Sequence, residues 1–300
     1  MKQPEYKPVA LLHEDPDLFR SALNYSSAET LFIPRLLEKD YFCTLLLHYL
    51  SSTDETLVFK GGTCLAKVYA GFYRLSEDLD FVISASADSL RSVRSKKMAA
   101  TKNAISRISE KFGAFRLLQP LTGANNSTQY IAVVGYSSLL GKTEETIKIE
   151  IGLREPLLMP FSHCSVATIL LSPITGKPMI PTFPITCISY NEGMAEKFRA
   201  ALSRREPAIR DFYDIHYAIS HLNLNPRDAS FIDLIKQKLA VPGNNPVDVC
   251  KKRLSATTRQ LDAELKPVLR TQDYAAFDLE KAFQVVIDVA IQLEQAPVVK

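Results

Sequence analysis

The sequence predicts an α+β protein, with its strands in residues 1–190 and a helical part over residues 191–300. Three observations predict this. Apolar runs at 56–59, 78–83 and 146–151 are short and bounded by polar or glycine residues, which reads as strand. Six prolines from Pro156 to Pro184 exclude a long helix there and mark a joint. From Asn191 onward the apolar residues recur at helical spacing.

The elements follow in order. Asp15-Pro16-Asp17 is a helix start. Residues 28–53 form a helix through Leu31, Leu36, Leu37, Tyr41, Leu45, Leu46 and Leu50. Thr56–Phe59 is a strand that runs into the turn Lys60-Gly61-Gly62-Thr63, and a helix carries Leu65, Val68, Tyr69 and Phe72. A polar corner, Arg74 to Glu77, leads into a strand over 78–83. Residues 86–113 are expected to form one amphipathic helix with Arg91, Arg94, Lys96, Lys97 and Lys102. Strands follow at 129–136 and 146–151, where Ile147, Ile149 and Ile151 alternate with Lys148 and Glu150. An edge strand is expected at Val166–Leu171. Helices are expected at 191–204, 208–221, 229–240, 246–265 and 273–294.

Composition narrows the function classes. With 46% apolar and 23% charged residues over 300 positions, the chain is neither disordered nor fibrous. The net charge of +3 does not announce a nucleic-acid binder, and a local basic surface would still suffice for one. The apolar stretch Val285–Ala290 is broken by Asp288, so no membrane span is expected. The first five residues lack a leader pattern. Five cysteines, odd in number and without a CxxC pair, argue against a disulfide framework and fit a reducing cytoplasm. Five scattered histidines make a histidine-ligated zinc site unexpected.

The chemistry concentrates in residues 59–83. A strand that ends in Gly61-Gly62 before a helix suits a phosphate, because the backbone can approach closely and the helix start offers N–H groups. Asp78 and Asp80, two apart on the next strand, share a face. Two adjacent carboxylates repel unless a cation lies between them, and Mg²⁺ with oxygen ligands is that cation. A plain solvated strand end is the alternative. Glu150 could join as a third carboxylate, or simply pair with Lys148 on its own strand face. Lys197 and Arg204 lie seven apart on one helix face, and Asp211 and Asp214 three apart on the next; solvated charges and an Arg210–Asp211 pair are the plain readings.

These residues carry a resemblance. Gly61-Gly62-Thr63-x-Leu65, Arg74-x-Ser76-x-Asp78-Leu79-Asp80, Ile149-Glu150-Ile151, and Glu196-Lys197 through Arg204 to Arg210-Asp211-Phe212-Tyr213-Asp214 resemble, in order, the motifs of the AbiEii family. These are nucleotidyltransferase-like toxins of bacterial toxin–antitoxin and abortive-infection systems, the MenT-type tRNA-modifying toxins among them. The resemblance implies a DNA-polymerase-β-like nucleotidyltransferase core, a mixed sheet with flanking helices, followed by a C-terminal helical bundle. By the same resemblance Gly61, Gly62, Thr63 and Ser76 would hold the NTP, with Lys197 and Arg204 on its phosphates. Asp78, Asp80 and Glu150 would bind Mg²⁺ or Mn²⁺, and Asp211 matches the essential aspartate of the last motif. The acceptor would be the 3′ end of tRNA or another RNA, approached over the 91–102 helix and Arg199, Arg204, Arg205 and Arg210. A cognate antitoxin encoded nearby would be the partner, and a modified Ser76 could silence the toxin by crowding the carboxylates with negative charge. Two other readings stay open from the residues: a transferase directed at protein, and a nucleotide-binding regulatory module without turnover.

Overall fold

A computed structural model describes residues 11–86, 88–141 and 143–295. The reading of the first five residues lies outside that range. The chain divides into two units, residues 1–188 and 189–300.

In the first unit, α1 (Pro16–Thr30) opens where the sequence places a helix start. The Asp15 carboxylate accepts from the Leu18 amide at 3.0 Å, and Pro16 sits in the first turn, where no N–H is missed. Leu31 adopts left-handed backbone (φ 62°) and ends α1. The next helix, α2 (Pro34–Thr53), therefore begins later than the leucine spacing suggests. It is buried along most of its length, which is why its apolar residues lie on every side.

The sheet has seven strands: β1 (Val58–Lys60), β2 (Leu79–Val82), β3 (Phe115–Ala124), β4 (Gln129–Ser137), β5 (Glu144–Gly152), β6 (Ser162–Val166) and β7 (Phe183–Cys187). Their order is β3-β4-β5-β2-β1-β7-β6. β2 runs parallel to β5 and β1 parallel to β7, and the other neighbours are antiparallel. The fold is α+β, a mixed sheet with flanking helices. Phe42 of α2 stacks on Tyr136 of β4, with ring centroids 4.1 Å apart, and meets Phe115 of β3 edge-on.

Further expectations need correction. The single helix over 86–113 is three short ones, α4 (Arg91–Lys97), α5 (Ala99–Ser106) and α6 (Ile108–Lys111), after α3 (Gly61–Cys64). The breaks fall at Met98 and Arg107, where ψ is near zero; Met98 itself is fully buried. Arg94 does not join the basic face. It is buried and donates to the carbonyls of Ser89 and Asn126. The edge strand lies at β6 rather than 166–171, where Leu171 makes only an isolated bridge to Pro178. β7 tolerates Pro184 because β1 pairs with it at Cys187 alone. β3 lacked any sequence signal, and its pairing with β4 slips on either side of Gln119.

The five cysteines are free. Three of them, far apart in sequence, meet in space: the sulfurs of Cys187 and Cys164 lie 3.4 and 3.9 Å from the Tyr69 hydroxyl, and Cys64 bonds Cys187.

The described part of the second unit is helical: α7 (Tyr190–Ser203), α8 (Ile209–His221), α9 (Ala229–Ala240), α10 (Lys251–Thr258), α11 (Thr271–Ala276) and α12 (Leu279–Gln295). The expected helices at 246–265 and 273–294 are each divided. A π turn, Leu261–Leu265, follows α10, and α11 stops before α12. Phe212 of α8 stacks on Phe283 of α12, and Phe198 of α7 meets Phe231 of α9 edge-on. Among the described residues no helix is long and apolar enough to cross a membrane.

Candidate active site

β1 ends at Lys60, and the chain turns at Gly61 directly into α3. Gly61 has φ +78°, the left-handed region that favours glycine. A Cβ there would also lie 2.3 Å from Asp80 Oδ2, so the Asp80 carboxyl rests against the Gly61 backbone. Thr63 is buried, and its hydroxyl donates to the Asp78 carbonyl at 2.5 Å. That bond ties the turn to the start of β2. Thr63 therefore has its hydroxyl donor engaged within the protein.

The sheet register sets the carboxylates. Lys60 pairs with Asp80 across β1 and β2, and Asp80 with Glu150 across β2 and β5. Directly opposed residues share a face, so Lys60, Asp80 and Glu150 form one row. Burial first, and then the charge of Glu150, push the Asp80 carboxyl up to about 6; Asp78 adds to this, while Lys60 and Lys148 oppose it. Lys148 stands among these acids. Burial works against its charge, but Glu150, Asp78 and Asp80 outweigh burial and hold its pKa above the ordinary lysine value. Glu150 is engaged at both oxygens, accepting from Gln129 Nε2 at 2.7 Å and from Lys148 Nζ at 3.3 Å. Glu150 thus pairs with Lys148, as its plain reading has it, and its charge also crowds Asp80. The crowded pair Asp78 and Asp80 has the donor chemistry of a divalent-cation site. Among the described residues no set of three acidic, histidine or cysteine side chains is arranged to hold a metal.

α2 supports this site with three consecutive buried charges. Glu38 accepts from the Ser138 hydroxyl at 2.7 Å and the Leu139 amide at 2.8 Å, just after β4. Lys39 bonds Glu77 at 3.1 Å, beside Asp78. Asp40 pairs with Lys67 at 2.7 Å, in the turn that follows α3.

In the second unit, Lys197 of α7 lies 3.0 Å from Asp211 and 2.8 Å from Asp214, both on α8. Arg204, at the end of α7, bonds Asp211 at 3.1 Å with its side chain 52% exposed. Asp211 thus pairs with Lys197 and Arg204, while its neighbour Arg210 bonds the Glu264 carbonyl. Arg253 closes α7: its guanidinium donates to the carbonyls of Ala200, Ala201 and Arg204. Replacing it, Arg253→Met, is expected to cost about 1–3 kcal/mol, because those carbonyls lose charged donors in a buried place. A shift of the urea midpoint toward lower concentration checks this, and an unchanged midpoint contradicts it.

A sequence model described as "Nucleotidyl transferase AbiEii toxin, Type IV TA system" matches residues 44–289. The chain belongs to the AbiEii family. This AbiEii protein is accordingly a nucleotidyltransferase of a toxin–antitoxin system, and an antitoxin is its partner. No curated protein sequence matches it. Two crystal structures are similar: a candidate nucleotidyltransferase from H. pylori, at 20% identity over 87% of this chain and 93% of that one, with a TM-score of 0.46; and JHP933 from Helicobacter pylori, at 19% identity over 91% and 94%, with a TM-score of 0.46. Both likenesses are too distant to assign residue roles.

Sequence reasoning gave Lys148 and Gln129 of this AbiEii protein no part beyond a pairing for Lys148; their hold on Glu150 depends on strand register. The basic candidates divide. Arg91, Lys96, Lys97 and Arg205 are exposed, whereas Arg199 and Arg210 are half-buried, and Arg199 bonds Asn244.

Proposed function

We propose that this AbiEii protein moves a nucleoside monophosphate from an NTP to an RNA, with the tRNA 3′ end as acceptor and growth arrest as the result. The observation that supports it is the contact of the Asp80 carboxyl with the Gly61 turn, in a chain of this family. A triphosphate on the turn would lie beside the carboxylates. The backbone of Gly61 and Gly62 would bind phosphate oxygens. Asp78 and Asp80 would hold Mg²⁺ or Mn²⁺. When bound, that ion supplies the charge that acidifies the acceptor hydroxyl and stabilises the leaving pyrophosphate. Glu150 already accepts from Gln129 and Lys148, and its remaining lone pairs would be what it could offer the ion. Lys148 balances the acids on the Asp80 row. In the second unit, Arg204 has guanidinium surface to offer a phosphate, and Lys197, held by Asp211 and Asp214, fixes the local charge. The exposed cations of α4 would attract RNA. The antitoxin would be encoded nearby.

The test is incubation of purified protein with Mg²⁺, total tRNA and each of four α-³²P-labelled NTPs, with Asp80→Ala beside it. Label on tRNA from one NTP, absent in the variant, is the expected result. Label on protein instead would replace RNA by a protein acceptor. NTP binding without transfer to any acceptor would leave a regulatory module.

A further inference from the structure

The two glycines of the turn make room for two different charged side chains. At Gly61 the obstacle to a side chain is Asp80 together with the positive φ. At Gly62 it is Arg74: an added Cβ would lie 2.4 Å from Arg74 Nη2 and 3.3 Å from both Arg74 Cζ and Ser76 Oγ. Gly62 does not need left-handed backbone, so the close approach of a guanidinium is what makes glycine fit there. Arg74 is 2% exposed, among the largest side chains the protein buries. Its Nη1 donates to the Leu75 carbonyl at 3.2 Å, and its guanidinium lies 5.5 Å from the centre of the Tyr73 ring.

We propose that Arg74 is the positioning residue of the phosphate turn, packed against the Gly62 backbone as a fixed positive charge that favours a polyanion on the outer side. The inference rests on the NTP reading of the turn. A guanidinium keeps its proton at any working pH. The charge is thus permanent and acts without touching substrate. It also opposes Asp80 across the same two-residue turn. The turn therefore presents a cation beneath Gly62 and an acid beside Gly61, a polarity that would orient a triphosphate along it.

The test compares binding of an NTP and of the corresponding NMP by titration calorimetry, in wild type, Arg74→Met, Arg74→Lys, Gly62→Ala and the double variant Gly62→Ala/Arg74→Lys. Thermal melts establish that each is folded. Arg74→Met is expected to lose about tenfold more affinity for NTP than for NMP, with part of that regained by lysine. Gly62→Ala is expected to weaken NTP binding, and the shorter lysine in the double variant to relieve it, so the two effects do not add. An NTP-to-NMP preference unchanged in Arg74→Met overturns the proposal. If the methionine variant does not fold, additive effects of Gly62→Ala and Arg74→Lys overturn it instead. Wild type that binds no NTP brings down the functional reading itself, and this proposal with it.

Discussion

Asp80→Asn is expected to lower nucleotidyl transfer by roughly a thousandfold or more, since on the proposed reading it removes a charge that serves the transition state. The same change is expected to make the protein more stable above pH 6 when no divalent ion is present. The Asp80 carboxyl is pushed up to about 6, against an ordinary 3.8, because it is partly withdrawn from solvent and faces Glu150. Between those values the folded chain keeps a proton that the unfolded chain releases. The stabilising contribution is complete below the ordinary value and is lost as pH rises through 6. Asparagine removes the charge that costs stability at high pH and changes little at pH 4. Melting curves at pH 4 and pH 8 check this: the variant melts higher at pH 8 only. Mg²⁺ at pH 8 is expected to raise the melting temperature of wild type and leave the variant unmoved. A variant less stable than wild type at pH 8 would show that carboxylate crowding does not govern this row.

Lys238→Met is expected to have the largest effect on stability, about 3–5 kcal/mol. Lys238 is fully buried on α9 and bonds Glu192 at 2.7 Å and Glu196 at 3.2 Å, both on α7. Glu192 is fully buried too, so removing the lysine leaves a carboxylate without its counter-charge in the core of the second unit. Adding Glu192→Gln removes that charge and is expected to return much of the loss. Urea unfolding of wild type, single and double variants reads this directly. Equal losses in the single and double variants would mean that packing, and not the ion pair, sets the cost.

Local chemistry was legible where a residue acts on its own neighbourhood. Asp15-Pro16 announces α1, the isoleucine alternation announces β5, and Gly61-Gly62 announces the turn before α3. The α+β class and the family likewise follow from short motifs read in order. Register is different. That Asp80 stands between Lys60 and Glu150 depends on strands β1, β2 and β5 meeting across long stretches of chain, and no spacing encodes it. Periodicity also misleads about charge. Arg94 sits in a basic run yet turns inward to two carbonyls, and a helix-face count cannot see those acceptors. β3 carries Pro120 and lacks alternation, because an irregular edge strand needs neither. Arg74 was visible as a motif member, but its approach to Gly62 exists only in three dimensions.

The buried run Glu38-Lys39-Asp40 has a consequence for cooperativity. Each charge fastens α2 to a different stretch of chain: the residues after β4, Glu77 before β2, and Lys67 after α3. Breaking any one leaves a charge poorly solvated, so none opens cheaply alone. The Gly61-Gly62 turn, although a loop by appearance, is thereby bound into the same opening unit as the central helix. Fluctuations that expose it are those that loosen the whole first core, and a short glycine-rich segment acquires the rigidity of its deepest neighbour.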